Sequence, residues 1–384
     1  MSQNSISKLF PVLFGFFIMG FCDLVGISVT YAKEQFGWTE TQAGFLPSMV
    51  FIWFFILSIP AAILMNRIGR KNTVLVSMVL TFIGMIIPYI RFDEIFCYLA
   101  FALLGIGNTI LQVSLNPLLT NVIKGDKLSS SLTTGQFIKA ISSFLGPIVA
   151  GLCSSHLGSW EKMFPIYAVV TLISSLWLVF TKIEEEKTNA QTSSFFQTIE
   201  LLKNTKILLL FLGILCVVGL DVGMNTVTPK LLIERSGLAK EAAGYGSSWY
   251  FLARTLGTAC GAFLLAKYSE KMYFRINMIV VVCAIAGLFV ASSQYHIYAM
   301  VCIVAFAASS IFAVIFSEAL RTLPHKANEI SGLMITGVAG GAIFPLLMGF
   351  MVDNVTKNQN GSIIIIAGTA LFLLYCAFGI KTSK

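Results

Sequence analysis

Twelve runs of apolar residues, each close to the ~20 residues a helix needs to cross a hydrocarbon core of about 30 Å, fill most of this 384-residue chain. They fall near residues 9–32, 45–65, 73–90, 95–123, 132–154, 163–182, 207–233, 247–266, 276–292, 298–321, 332–352 and 362–380. Hydrocarbon offers no partner to a backbone amide, so runs of this length are expected as helices that satisfy their own N–H and C=O groups. The composition agrees: only 11% of residues are charged, against ~25% in soluble domains. The expected fold is all-α and integral to the membrane, with twelve transmembrane helices.

The net charge of +8 bears on topology rather than on nucleic acid, because no basic stripe forms and most of the 26 Lys and Arg fall in alternate loops. The basic segments are NRIGRKN at 66–72, the linker 183–206 and KYSEKMYFR at 267–275. Placing them inside puts both termini in the cytoplasm. The first apolar run is too long for a signal-peptide core and lacks a small-residue cleavage site, so it is read as a retained helix. The eight cysteines show no CxxC spacing, and the three histidines, His156, His296 and His325, lie in separate loops. Neither a metal site nor a nucleophile constellation is indicated. No GxxxxGK[ST] phosphate loop occurs, so direct ATP coupling within the chain is not expected, and without a clustered nucleophile or metal set neither enzymatic chemistry nor a cofactor is expected.

The one long polar segment, KIEEEKTNAQTSSFFQTIELLKNTK at 182–206, divides the chain into six runs on each side. The expected organisation is a bundle over 1–182, a cytoplasmic linker over 183–206 and a second bundle over 207–384. The halves echo each other at an offset near 200: Val29-Thr30 with Val227-Thr228, Gly37 with Gly237, Ala43-Gly44 with Ala243-Gly244, and Lys71 with Lys271. Such a repeat implies two pseudo-symmetric six-helix bundles, as in transporters whose substrate site lies between halves. One acid per half sits midway along an apolar run, Asp23 in FIMGFCDLVGIS and Asp221 in GLDVGMN. A charge there costs ~2.5 kcal/mol or more on insertion scales, so these acids are candidate proton-coupling residues. Each can equally pair with a neighbouring cation and hold two helices together.

NRIGRKN resembles the loop between the second and third helices of the major facilitator superfamily, with Gly69, Arg70 and Lys71 at the expected spacing and Asn66 where that pattern has Asp. The stretches QAGFLPSMVFIWFFILSIPAAILM at 42–65, GIGNTILQVSLNPLLT at 105–120, SSIFAVIFSEAL at 309–320 and ITGVAGGAIFPLLMGFMVD at 335–353 are similar to the fucose proton symporter branch of that superfamily. The resemblance covers nearly the whole chain. It implies a proton-coupled sugar symporter of the bacterial inner membrane working by alternating access, and Arg67, Arg70 and Lys71 as a gating charge network. Where that branch has an acid in the fourth helix, this chain has Gln112; its first-helix acid aligns near Gly26, three residues from Asp23. Fifth-helix amides align with Gln136 and Lys139. Arg254 in ARTLG matches an element of the eighth helix and is expected beside a carboxylate.

The membrane-embedded polar residues pair at helical spacing: Gln112 with Asn116, Gln136 with Lys139, and Asp221 with Asn225. Amides both donate and accept, which suits a sugar stripped of water. The aromatics Phe51, Trp53, Trp249 and Tyr250 are candidates to stack on a sugar face. Polar side chains also bond helix to helix at ~0.6 kcal/mol each, the alternative for Asn116 beside Pro117. Lys139 must face water, a carboxylate such as Asp23, or an anionic substrate. The sequence therefore points to a monosaccharide importer driven by protons, with an acidic-sugar or other organic-anion symporter as the alternative. Its expected partners are a small sugar and the lipid bilayer, with a monomer as the working unit.

Overall fold

The structure, a computed structural model, describes the backbone of residues 3–38, 40–123, 128–185, 195–238 and 240–380. The side chains of 3–7, 26, 29, 30, 33, 40–45, 47, 147, 240–242, 244 and 245 lie outside that description. So do the repeat positions Val29-Thr30, Ala43-Gly44 and Gly244, and 186–194 of the linker.

Among the described residues sixteen α-helices run in order: α1 Gln3–Met19, α2 Leu24–Phe36, α3 Glu40–Ile68, α4 Arg70–Ile90, α5 Glu94–Val122, α6 Leu128–Leu157, α7 Met163–Phe180, α8 Phe195–Glu200, α9 Thr205–Ser236, α10 Lys240–Lys267, α11 Glu270–Val290, α12 Gln294–Ala308, α13 Ile311–Thr322, α14 Ala327–Thr336, α15 Gly340–Met351 and α16 Asn360–Gly379. Among the described residues, 11 helical segments are long and apolar enough to cross a membrane. The first expected span, 9–32, is not one continuous helix. A 3₁₀ turn over Gly20–Asp23 separates α1 from α2. The run 332–352 is likewise interrupted, by a 3₁₀ turn over Gly337–Ala339. Both interruptions contain Gly, the residue that most weakens a helix interior short of Pro.

The chain groups into two compact units. The first comprises Met1–Leu128, Gly135–Ile199 and Leu323–Thr336, and the second Ser129–Thr134, Glu200–Thr322 and Gly337–Lys384. In the first, α5 packs along α3 and α4, and α14 lies against α3 and α5. In the second, α9 packs against α10, α12, α13, α15 and α16.

Small residues set the helix spacing. A Cβ added to Gly105 of α5 would stand 2.5 Å from the Val50 carbonyl oxygen of α3, and one added to Gly257 of α10 would stand 2.4 Å from that of Phe306 in α12. Both are backbone contacts with no side chain able to yield, the close approach that membrane helices use in place of a hydrophobic drive. Gly340 plays the same part against the Leu215 carbonyl, at 2.1 Å.

The internal repeat is visible as matched contacts within each unit. Gly37 and Gly237, at the ends of α2 and α9, both take φ of +63°, a left-handed helix-ending conformation that favours glycine. Arg70 donates to Asn121 at 2.6 Å in the first unit. The equivalent positions, 270 and 321, hold Glu270 and Arg321 at 2.5 Å in the second. Trp160 donates to Gln35 at 2.7 Å, and its counterpart Asn360 accepts from Arg235, the counterpart of Gln35, at 2.5 Å. Asp93 and Ser293 cap α5 and α12, accepting from Phe96 and His296 respectively. The Phe96 N–H, with Arg91 beside it, holds the Asp93 carboxyl below its ordinary range. The contacts are kept while their chemistry changes.

Candidate functional site

Asp23 ends the 3₁₀ turn that interrupts the first span. Its backbone is anchored through Gly20, where a Cβ would meet Ser142 Cβ at 2.6 Å and the Lys139 carbonyl at 2.7 Å. That approach sets the Asp23 carboxylate against α6. Ser143 Oγ lies 2.5 Å from Asp23 Oδ2 and 3.0 Å from the Lys139 carbonyl. A hydroxyl has one proton, and the shorter contact to a charged acceptor takes it. Cys22 Sγ lies 3.3 Å from the other carboxylate oxygen. The Asp23 side chain is exposed.

Lys139 sits one helical turn before Ser143 and is half-buried. Its ammonium makes no hydrogen bond or ion pair with any described residue. The expected alternative in which Lys139 binds Asp23 is therefore not the one seen: Ser143 takes that place. Gln136, three residues earlier on the same face, is also half-buried and bonds to no described side chain.

Gln112 and Asn116 of α5 are 6% and 1% exposed and belong to a ladder. Gln112 Nε2 donates to Asn108 Oδ1 at 2.8 Å, and Asn108 Nδ2 donates to the Met19 carbonyl at 2.8 Å. Met19 is the last residue of α1, so Asn108 ties the fourth-span amides to the turn that carries Asp23. Asn116 spends its N–H on the Gln112 carbonyl at 2.9 Å, and its Oδ1 is buried without a partner. The carbonyl that Pro117 leaves without a helical N–H is that of Val113. Ser331 of α14 supplies the donor at 2.6 Å. Trp53 of α3 packs beside Gly105, its ring Cδ1 2.8 Å from where a glycine Cβ would be, and its Nε1 is buried unpartnered.

In the second unit Asp221 of α9 has both oxygens engaged. Tyr250 O–H donates to Oδ1 at 2.5 Å, and Arg254 Nη2 lies 3.1 Å from Oδ2. Tyr250 is 1% exposed, so it is a buried donor and not the open stacking surface considered above. Arg254 lies beside a carboxylate, as its sequence position implied. One turn beyond Asp221, Asn225 holds a buried Oδ1 without a partner.

The loop that follows α3 gathers a separate network within the first unit. Glu185 accepts from the N–H groups of Arg70 and Lys71 at 2.7 Å each, an anion on the N-terminus of α4. Lys71 Nζ donates to the Val179 and Thr181 carbonyls at the end of α7, both at 2.9 Å. Arg70 reaches Asn121 and, through Nε, Asn328 at 2.8 Å. Asn66 donates to Glu329 at 2.7 Å and accepts from Asn328 at 2.7 Å. Arg67 is exposed and makes no contact of this kind among the described residues.

The Asn66 to Glu329 bond explains an amide where the resembled pattern has an acid. Asn66→Asp would set two carboxylates at hydrogen-bond distance, a like-charge pair at a 3% exposed Glu329. We expect Asn66→Asp to lower the thermal unfolding midpoint, and Asn66→Asp/Glu329→Gln to recover most of the loss. Two independent, additive effects in the double variant would refute that pairing.

Asn108, Ser143, Glu185, Asn328 and Glu329 did not emerge from the sequence as site residues. Asn108 and Ser143 carried a signal, since each lies four residues from a candidate, Gln112 and Lys139. The other three are joined to their partners only by tertiary structure.

The sequence model of the Major Facilitator Superfamily matches residues 10–379. A glucose/galactose transporter of Brucella abortus is 24% identical over 362 residues, covering 88% of this chain and 86% of its own. A putative glucose/galactose transporter of Helicobacter pylori is 24% identical over 386 residues, covering 94% and 93%. The crystal structure of the Escherichia coli fucose:proton symporter superposes with a TM-score of 0.86 over 99% of this chain and all of that one, at 16% identity. That likeness is one of fold.

Proposed function

This chain belongs to the Major Facilitator Superfamily, and we propose that it is a proton-coupled symporter importing a monosaccharide across the bacterial inner membrane by alternating access. The two six-helix halves are its moving bodies, and both termini face the cytoplasm. The observation that carries the reading is the contrast between the two midspan acids. Each Asp221 oxygen has a partner, Tyr250 on one and Arg254 on the other. Asp23, at the break in the first helix, accepts from a hydroxyl and a thiol and has no cation within ion-pair distance among the described residues. Asp221 is committed to a guanidinium, whereas Asp23 is held only by neutral donors among the described residues.

Asp23 is accordingly the proton carrier, and Asp221 with Arg254 and Tyr250 holds α9 against α10. In the first unit Gln112, Asn116, Gln136 and Lys139 supply polar groups for the sugar, with Trp53 as an apolar wall, and in the second unit Asn225 does so. The likeness to the Brucella, Helicobacter and Escherichia sugar transporters supports a sugar as the cargo. Tracer uptake into proteoliposomes tests this directly. An inward proton gradient should drive accumulation of a labelled monosaccharide, and a protonophore should collapse it. Equal uptake with and without the gradient would refute coupling.

A further inference from the structure

We infer that the monosaccharide carried by this protein is an acid, a hexuronate-type sugar whose carboxylate is received by Lys139, and that its symport with one proton is electroneutral. The inference rests on the reading of Asp23 as proton carrier and extends it to the charge of the cargo.

The charges of the midspan groups can be followed through the cycle. In the second unit Asp221 and Arg254 cancel by direct contact at 3.1 Å. In the first unit the groups are Asp23 and Lys139, the carboxylate bonded by Ser143 and the lysine one turn earlier on the same helix as that serine. Cys22 of its own turn lies 3.3 Å from the Asp23 carboxylate, and Lys139 of α6 lies one turn before the Ser143 that bonds it. With no cargo, ionised Asp23 and Lys139⁺ sum to zero, so the empty carrier reorients without net charge in the membrane. Loading a proton onto Asp23 removes the negative member and leaves Lys139⁺ uncompensated in a low-dielectric setting, where an unpaired charge is costly.

A neutral sugar leaves that charge in place in the loaded state. A sugar carboxylate cancels it. Protonated Asp23, Lys139⁺ and R–COO⁻ again sum to zero, so both states that cross are neutral. The proton moves as Asp23 COOH and is released on the far side, and no bond of the sugar changes. Lys139 also has the form this role needs: half-buried, one turn from the Ser143 that bonds the carrier residue, its ammonium unpaired among the described residues, with Gln136 on the same face to meet a neighbouring hydroxyl. An ammonium is a compact point charge on a flexible stem, suited to a carboxylate whose position shifts as the carrier moves.

The test uses the purified full-length chain in proteoliposomes, with labelled glucuronate beside labelled glucose, galactose and fucose. The interior is clamped with potassium and valinomycin so that pH gradient and voltage vary separately. Glucuronate should accumulate with the pH gradient at a rate indifferent to voltage. Lys139→Gln should raise the KM for glucuronate by about 30-fold or more, the loss expected when a charged partner is removed. Lys139→Arg, which keeps the charge, should lose far less. If Lys139→Gln is not monodisperse, the wild-type substrate and voltage results decide. Uptake of neutral hexoses alone, or voltage-dependent uptake of glucuronate, overturns this inference and leaves the proton-coupled monosaccharide reading standing. No uptake of any of the four sugars overturns both.

Discussion

Asp23→Asn should abolish pH-gradient-driven accumulation while retaining counterflow of substrate against substrate. With one proton per cargo, each pH unit of gradient supports about tenfold accumulation. Asn cannot carry the proton, so the ratio should fall to simple equilibration. Exchange survives because Asn is nearly isosteric with the protonated acid and still accepts from Ser143 through its carbonyl. Asp221→Asn is the comparison. It leaves Arg254 without its carboxylate, so its defect should appear in expression and stability, with any folded fraction still coupled to the proton gradient. If Asp23→Asn accumulates substrate as the wild type does, the carrier role is wrong, and loss of coupling in folded Asp221→Asn would assign it to the second acid.

Removing the cation from the buried pair in the second unit should have the largest effect on stability. Arg321 and Glu270 are 2.5 Å apart, with side chains 19% and 7% exposed. The neighbouring pair, Lys206 and Glu318, is also 2.5 Å apart, with Glu318 only 2% exposed. Breaking a buried ion pair from one side leaves an uncompensated charge, typically at a cost of 3–5 kcal/mol, whereas replacing both members by apolar groups is often neutral. Arg321→Met is therefore expected to lower the thermal unfolding midpoint in detergent strongly, and Arg321→Met/Glu270→Met to recover most of it. The double-mutant cycle isolates the coupling between the two. An unchanged midpoint in Arg321→Met would show that solvent or a rearranged neighbour neutralises Glu270.

The two units reach the same helix-to-helix bond with different chemistry, which explains how far the repeat could be read in the sequence. Gly37 and Gly237 were recognisable because a left-handed turn restricts the residue itself. Arg70 with Asn121 and Glu270 with Arg321 were not, because a hydrogen bond constrains only the pair and lets donor and acceptor exchange ends. Asn66 and Glu329 are a pair of that kind.

The sequence by itself determined the membrane setting, the helical fold, the division into six runs on each side of a polar linker, and the acids and amides available for a site. Each follows from a local requirement: apolar length, backbone satisfaction, or the cost of one polar side chain in lipid. Only the tertiary structure decided what each of those groups does. It broke the first span at Asp23, gave that carboxylate a hydroxyl in place of the Lys139 ammonium, and closed Arg254 and Tyr250 on Asp221. It also grouped Leu323–Thr336 with the first unit, where Asn328 and Glu329 meet Asn66 and Arg70. The reason is physical: a charge in an apolar helix announces that it needs a partner, but the partner is set by the distance and geometry of another helix.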